Sequence, residues 1–111
     1  MSSPKLNRKM VLEERNRVSD GMGGFTESWV SKGAIWVNLD ARGAAERLVG
    51  ARTLSVTKYK ILTRAAPFGA DSRPRPDQRF REGGRHFDIL AVGEYDPAGM
   101  YLEIWAEEGR Q

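Results

Sequence analysis

Residues 53–63 read TLSVTKYKILT and show the clearest β-strand pattern in the chain. Successive side chains of a strand point to opposite faces, so alternate residues share a face. One face of this segment carries Thr57, Tyr59, Ile61 and Thr63, and the other carries Lys58 and Lys60. The period of two, with β-branched and aromatic residues on one side, predicts a half-buried strand.

Two further strands are predicted on the N-terminal side of this segment. Residues 8–18 alternate between apolar and polar positions, and residues 19–24, SDGMGG, tolerate positive φ and predict a hairpin loop. An extended segment then runs from Phe25 to Asp40, with a break or bulge at Lys32-Gly33. The first strand alternates around Met10 and Leu12. In the second segment Ile35, Val37 and Leu39 share one face, and Trp36 takes the other.

Two segments interrupt the strand pattern. Residues 41–53, ARGAAERLVGART, are rich in helix-favouring residues but contain Gly43 and Gly50, and they predict a short helical or irregular excursion. Residues 64–77, RAAPFGADSRPRPD, contain three Pro, which lack a backbone donor, and they predict a long loop. A loop of 14 residues in so small a domain is often functional.

The last third of the chain predicts a β meander. Gln78–Glu82 is a predicted strand, Gly83-Gly84 is a tight turn, and Arg85–Tyr95 is a strand with a bulge near Ala91. Residues 96–99, DPAG, predict a second turn before a final strand over Met100–Glu107. The core candidates here are Phe87, Ile89 and Val92, and Leu102, Ile104 and Ala106 share one face of the final strand.

These elements predict an all-β fold. About six antiparallel strands in 111 residues favour one small β-barrel of SH3 or OB size, with long loops and at most one short helix. A closed barrel is preferred over an open sheet because closure hides the strand edges. We expect residues 1–111 to form a single domain whose first residues, 1–7, are flexible.

The composition offers little reactive chemistry. The chain has no Cys and one His, His86, so a multi-histidine metal site is impossible within one copy. No nucleophile motif is present, and His86 is interpreted as a surface residue of a strand. The carboxylate pairs Glu13-Glu14 and Glu107-Glu108 are interpreted as solvated charges. We therefore expect no enzymatic activity, no cofactor and no metal.

No apolar run approaches the roughly 20 residues of a membrane span, and the N-terminus does not resemble a secretory signal. We therefore expect no membrane association. Charge is distributed unevenly along the chain. Residues 51–85 carry a net charge of +6 and residues 86–111 carry −5, although the whole chain is only +3. Such blocks can pair within one fold, form complementary faces between identical copies, or present a basic face to a polyanion.

The aromatic residues also allow two interpretations. The residues concerned are Trp29, Trp36, Tyr59, Tyr101 and Trp105. They can fill a core or a subunit interface, or they can stack on nucleic-acid bases.

The order of these segments resembles the head–tail joining, or head-closure (stopper), proteins of tailed bacteriophages. The matching segments are RKMVLEER (8–15), DGMGGFTESW (20–29), IWVNL (35–39), RGAAE (42–46), TKYKI (57–61), GRHFDI (84–89) and YLEI (101–104). They span nearly the whole chain in the family's order. The loop at 64–77 is richer in Pro and Arg than the family pattern.

The resemblance implies a structural subunit in the neck of a virion or of a phage-like gene transfer particle, assembled in the bacterial cytoplasm. It implies a homo-oligomeric ring of sixfold or twelvefold symmetry, below a portal–adaptor ring and above a tail terminator or tail tube. Such a ring surrounds packaged double-stranded DNA without reading its sequence. The expected subunit or channel contacts are Arg42, Arg47, Arg52, Lys58, Lys60, Arg64, Arg73 and Arg75.

An alternative function remains open at this point. The same basic residues, with Trp29 or Tyr59 as stacking platforms, suit a monomeric OB- or SH3-like module that binds nucleic acid without sequence preference.

Overall fold

A computed structural model describes residues 4–110, apart from the side chains of residues 47, 49 and 110. Within that range the fold is all-β, and no helix occurs, so none is present that could cross a membrane. The six strands are β1 (Arg8–Ser19), β2 (Phe25–Val49), β3 (Arg52–Arg64), β4 (Arg79–Glu82), β5 (Arg85–Glu94) and β6 (Tyr101–Arg110). The predicted fold class is therefore confirmed.

The six strands form a closed barrel in the order β1-β2-β3-β6-β5-β4, and every neighbouring pair is antiparallel. Three pairs of residues between β1 and β4 complete the ring: Val11 with Arg81, Leu12 with Phe80, and Glu13 with Arg79. We call this short contact the seam.

Every strand contributes to one core inside the barrel. The most buried members are Met10, Leu12, Val37, Ile61, Phe80, Phe87, Ile89, Ile104 and Ala106. Ile35, Leu39 and Val92 are partly buried against this cluster. The predicted core residues Phe87, Ile89 and Val92 are therefore confirmed, and Ile35, Val37 and Leu39, predicted to share one face, all lie in or against this core.

Local irregularities lie where the sequence predicted them. Lys32 is the extra residue of a bulge in β2, and Leu90 is the extra residue of a bulge in β5 beside Ala91. In the β1–β2 turn the Asp20 carboxylate accepts hydrogen bonds from the amides of Met22 (2.8 Å) and Gly24 (3.1 Å). This turn is the predicted hairpin loop.

The expectation of a helical or irregular excursion at residues 41–53 was wrong. Strand β2 continues to Val49 and pairs with β3 as far as Arg52, so the segment is a β-hairpin. Gly43, with a φ of 146°, lies beside a bulge, and Gly50, with a φ of 61°, lies in the turn. Hydrogen bonding to a neighbouring strand outweighs a helix preference of a few tenths of a kcal/mol per residue.

Two hairpin arms extend from opposite ends of β2. Arm 1, residues 14–30, lies beyond the seam, where β1 and β2 pair only with each other. Arm 2, residues 41–55, lies beyond the last contact of β2 with β1, at Val37 and Arg8. With these arms the molecule measures 54 × 31 × 24 Å.

The segment predicted as a loop at 64–77 is confirmed as a loop between β3 and β4. Its path is held by hydrogen bonds, from the Arg73 guanidinium to the Ala66 carbonyl (2.9 Å) and from the Arg75 amide to the Gln78 side chain (2.8 Å). Of the N-terminal segment 1–7, predicted to be flexible, residues 1–3 lie outside the described residues, and the Lys5 carbonyl accepts a hydrogen bond from Asn38.

The core makes a direct prediction about stability. Phe87 is fully buried and meets the Tyr59 ring edge to face at 5.2 Å, so Phe87→Ala should reduce the free energy of unfolding by about 3–5 kcal/mol. Met22 is 87% exposed, and Met22→Ala should change this free energy by no more than about 0.5 kcal/mol. Urea denaturation of both variants measures the difference. Equal effects would contradict the assignment of the core.

Candidate functional site

The seam carries a cluster of ion pairs around one carboxylate. The Glu13 side chain is only 9% exposed, and it accepts hydrogen bonds from Arg79 (2.8 Å) and Arg81 (3.0 Å) of β4. Burial raises the pKa of the Glu13 carboxyl, but the bonds from the two guanidinium groups lower it by more, so the net pKa is below its ordinary value. Glu13 therefore fastens β1 to β4 as a charged group.

A second carboxylate fastens the loop to the same strand. Glu14 pairs with Arg75 of the loop and with Lys32 of the β2 bulge, whose Nζ lies 3.2 Å away. Hydrogen bonding from Lys32 lowers the pKa of the Glu14 carboxyl. Lys32 also approaches Asp71 in the loop, at 3.7 Å. The base of arm 1 is thus held on both sides.

Trp29 links these ion pairs to arm 1. The Arg79 guanidinium lies 3.9 Å from the centroid of the Trp29 ring, and the Arg15 guanidinium lies 5.4 Å from it. A cation near the face of an indole is attracted by the ring's quadrupole. The half-buried Trp29 therefore supports the arm and is not an open stacking platform.

On the next strand after β4, Arg85 connects β5 to β6. Its guanidinium donates to both oxygens of Glu108, at 2.8 and 3.0 Å, and to the Tyr59 hydroxyl, at 3.2 Å. Hydrogen bonding to Glu108 raises the pKa of Arg85. This pair joins the basic and acidic sequence blocks, whereas Arg75, Arg79 and Arg81 find their carboxylates on β1.

The interpretation of the paired glutamates as solvated charges was therefore wrong. Glu13, Glu107 and Glu108 are 7%, 5% and 9% exposed. Their burial follows from the pairing of strands distant in sequence, which brings Arg79, Arg81 and Arg85 to Glu13 and Glu108. The interpretation of His86 as a surface strand residue is confirmed.

A row of cations and aromatic rings crosses the outer face of four neighbouring strands. Lys9 pairs in register with Trp36, Trp36 lies beside Arg64 across the β2–β3 ladder, and Arg64 pairs with Tyr101. Trp36 is 55% exposed, and Lys9 and Arg64 are also exposed. Within the described part of the chain, neither Lys9 nor Arg64 has an ion-pair partner. We call these four residues the outer row.

A groove of about 810 Å³ lies over three members of the outer row, Trp36, Arg64 and Tyr101. It forms where the end of β3 turns into the loop, and the N-terminal segment covers its other side. The lining residues used below are Leu6, Trp36, Arg64, Ala65, Ser72 and Tyr101. The groove therefore combines apolar walls, two aromatic rings and one guanidinium.

The eight basic residues predicted as contacts do not form one patch. Lys58, Lys60 and Arg64 lie on β3, Arg42, Arg47 and Arg52 lie on arm 2, and Arg73 and Arg75 lie in the loop. The side chain of Arg47 is outside the described side chains.

Several of these eight side chains are engaged within the molecule. Arg42 pairs with Asp40 at 3.3 Å, and Lys60 lies 5.8 Å from the Tyr95 ring centroid. Arg73 lies on the Phe68 ring at 3.8 Å, and Arg75 pairs with Glu14. Two predicted contact residues of the loop thus help to hold its shape. Sequence reasoning missed Lys9, whose position beside Trp36 follows only from the register.

Among residues 4–110 no three His, Asp or Glu side chains gather in a way that could hold a metal ion. The polar clusters described above are ion pairs within the chain. The surfaces left exposed to solvent are the outer row, the groove and the two arms. These features define a small all-β barrel whose distinctive surfaces are suited to contact with other macromolecules.

Comparison with known proteins identifies the family. The family of phage head completion proteins matches residues 1–109. A chain in the virion of a native gene transfer agent particle is 49% identical, with a TM-score of 0.87, over 97% of this chain and 98% of that chain. A solution structure of a Shigella flexneri 2a protein, 18% identical with a TM-score of 0.67 over 97% of this chain and 96% of the other, supports the fold. No curated protein matches.

The chain belongs to the phage head completion protein family. It is therefore a structural protein of phage-type particles, with a role in completing the head. The resemblance inferred from the order of the sequence motifs is confirmed.

The seam predicts the response to acid. Because the pKa of Glu13 is lowered in the folded chain, its stabilising effect is complete above the ordinary value of 4.5 and disappears as pH falls through the lower folded pKa. Glu13→Gln should lose about 2 kcal/mol at pH 7 and show a flatter decline below pH 4.5 than the unaltered protein.

Glu27→Gln is the matched control, since Glu27 is half exposed and meets Arg15 and Arg17 only at 3.9 and 4.0 Å. Its free energy of unfolding should change by less than about 0.5 kcal/mol. Urea denaturation from pH 7 to pH 3 compares the three proteins. Parallel pH curves for Glu13→Gln and the unaltered chain would show that Glu13 does not control the acid response.

Proposed function

We propose that this protein is a head–tail connector subunit that forms a ring below the portal–adaptor complex, closes the DNA-filled head and docks the tail. The observation that supports this most is the 49% identity, with a TM-score of 0.87, to a chain in a gene transfer agent virion. Membership of the head completion family agrees with it over residues 1–109. On this proposal the protein acts in the neck of the particle, has no catalytic activity, and assembles in the bacterial cytoplasm.

The shape suits identical copies arranged in a ring of sixfold or twelvefold symmetry. A ring requires heterologous contacts, in which one surface of a copy meets a different surface of the next. Arm 1 and arm 2 leave opposite ends of β2 and offer two such different surfaces. The closed barrel lies between these two surfaces.

Packaged double-stranded DNA in the channel needs only a surface that tolerates its charge. Arm 2 carries Arg42, Arg47 and Arg52, and β3 carries Lys58 and Lys60. We assign the channel or neighbouring-ring contacts to arm 2, because it projects beyond the paired part of β1, whereas Arg73 and Arg75 hold the loop in place within the chain.

Shortening arm 2 tests this assignment without disturbing the core. Ala45 and Val56 are opposite each other in the β2–β3 ladder, so an Asn-Gly turn can join them after removal of residues 46–55. The variant should remain folded, with a melting midpoint within about 8 °C of the unaltered chain. In cells that lack the natural copy, it should yield heads that lose DNA or lack tails.

Electron microscopy and nuclease protection of packaged DNA measure the outcome. Complete absence of the protein is the reference and should give unjoined, leaking heads. Tailed, DNA-filled particles in the complete absence of the protein would contradict the proposed function. The same result with the shortened arm alone would contradict only the role of arm 2.

A nucleic-acid-binding module is the second candidate, because the outer row combines exposed Lys9, Trp36 and Arg64. It requires measurable, salt-dependent affinity of the isolated protein for single-stranded DNA. Trp29 and Tyr59, the stacking platforms considered from the sequence, are engaged by Arg79 and Phe87 instead.

A further inference from the structure

The tip of arm 1 exposes a compact apolar surface. Met22 is 87% exposed, Phe25 is 61% exposed and Val18 is 49% exposed. Residues 18–26, VSDGMGGFT, contain one charged side chain, that of Asp20. The loop is ordered by the hydrogen bonds that Asp20 accepts from the amides of Met22 and Gly24. The guanidinium of the neighbouring Arg17 lies 4.8 Å from the centroid of the Phe25 ring. The tip is therefore a preformed apolar projection that carries the negative charge of Asp20, with the positive charge of Arg17 beside Phe25.

The groove over the outer row has the complementary chemistry. Trp36, Tyr101 and Leu6 provide apolar walls, and Arg64 provides a positive charge inside the groove. Lys9, exposed beside Trp36, adds a second positive charge to the same face. Trp, Tyr and Arg are the residue types that most often dominate the energy of a protein interface.

The tip of arm 1 cannot reach the groove of its own chain. Phe25 and Trp36 belong to the same continuous strand, β2, and are eleven residues apart. At 3.3 Å per residue the separation approaches 36 Å, and bending of the strand shortens it only in part. The hairpin is held at its base by Glu14, Lys32 and Trp29. Any arm tip that occupies the groove must come from another copy.

We propose that the tip of arm 1, residues 18–26, docks in the groove of the adjacent copy and forms the repeating contact of the ring. Met22 and Phe25 pack against Trp36 and Tyr101, and Asp20 approaches Arg64. The contact joins two different surfaces of identical chains, so it can be repeated around a ring. This inference rests on the proposed function, because it needs copies held side by side.

Site-directed cross-linking in assembled particles tests the contact. The chain has no Cys, so two Cys can be introduced on an unreactive background. Ser19 lies at the tip and Ser72 lines the groove, both are exposed, and Cys is close in size to Ser. Particles carrying Ser19→Cys with Ser72→Cys, treated with a short bismaleimide reagent, should give a ladder of linked copies on a denaturing gel.

Each single substitution should give no ladder. Ser19→Cys with Ser55→Cys is the matched control, since Ser55 is an exposed serine on arm 2. Adding Met22→Asp or Trp36→Asp to the reactive pair should lower the yield of linked copies at least about tenfold, as expected for a residue at the centre of an interface. Adding Leu90→Asp, at an exposed apolar position of β5, should leave the ladder unchanged.

A ladder that survives Trp36→Asp, or one equally strong with Ser55→Cys, would overturn the contact. Absence of the protein from particles would instead refute the proposed function, which an immunoblot of purified particles decides separately. If particles that contain the protein give no ladder, the proposal is wrong. Loss of binding to a labelled single-stranded oligonucleotide by the isolated Arg64→Glu protein would then assign the groove to nucleic acid.

Discussion

Closure of the barrel at the β1–β4 seam is the constraint on which the rest of the structure depends. Only three residue pairs join the two strands, so the backbone ladder at this point is short. Leu12 and Phe80, both fully buried, place the seam in the core, and Glu13 adds bonds to Arg79 and Arg81 beside them. A buried carboxylate with two guanidinium partners is costly to leave unpaired, and this cost favours the closed form.

The shortness of the seam also creates arm 1. Because β4 begins only at Arg79, which pairs with Glu13, β1 beyond Glu13 pairs with no strand other than β2, and these two strands continue outward as arm 1. Strand β2 is 25 residues long. Its middle part belongs to the barrel wall, and its C-terminal part continues outward as one side of arm 2. One long strand thus supplies both the wall of a packed domain and two projections available to other molecules.

The basic residues fall into two groups, those that form ion pairs within the chain and those that stay exposed on the surface. Arg75, Arg79, Arg81 and Arg85 contact carboxylates within the chain, so a large part of the basic sequence block stabilises the fold. Lys9, Lys60 and Arg64, on the outer face of β1 and β3, have aromatic neighbours instead. Net charge along the sequence could not separate these groups, because each arginine's partner lies on a strand distant in sequence.

The sequence by itself determined the strands, the turns and the core face, because alternation along a strand and glycine in turns are local properties. It also determined the family, through the order of short motifs. Only the tertiary structure decided that residues 41–53 are a hairpin, that Glu13 is buried, and that Lys9, Trp36, Arg64 and Tyr101 form a row. These features depend on which strands are neighbours and in what register, and a register is decided by contacts between residues far apart in the chain.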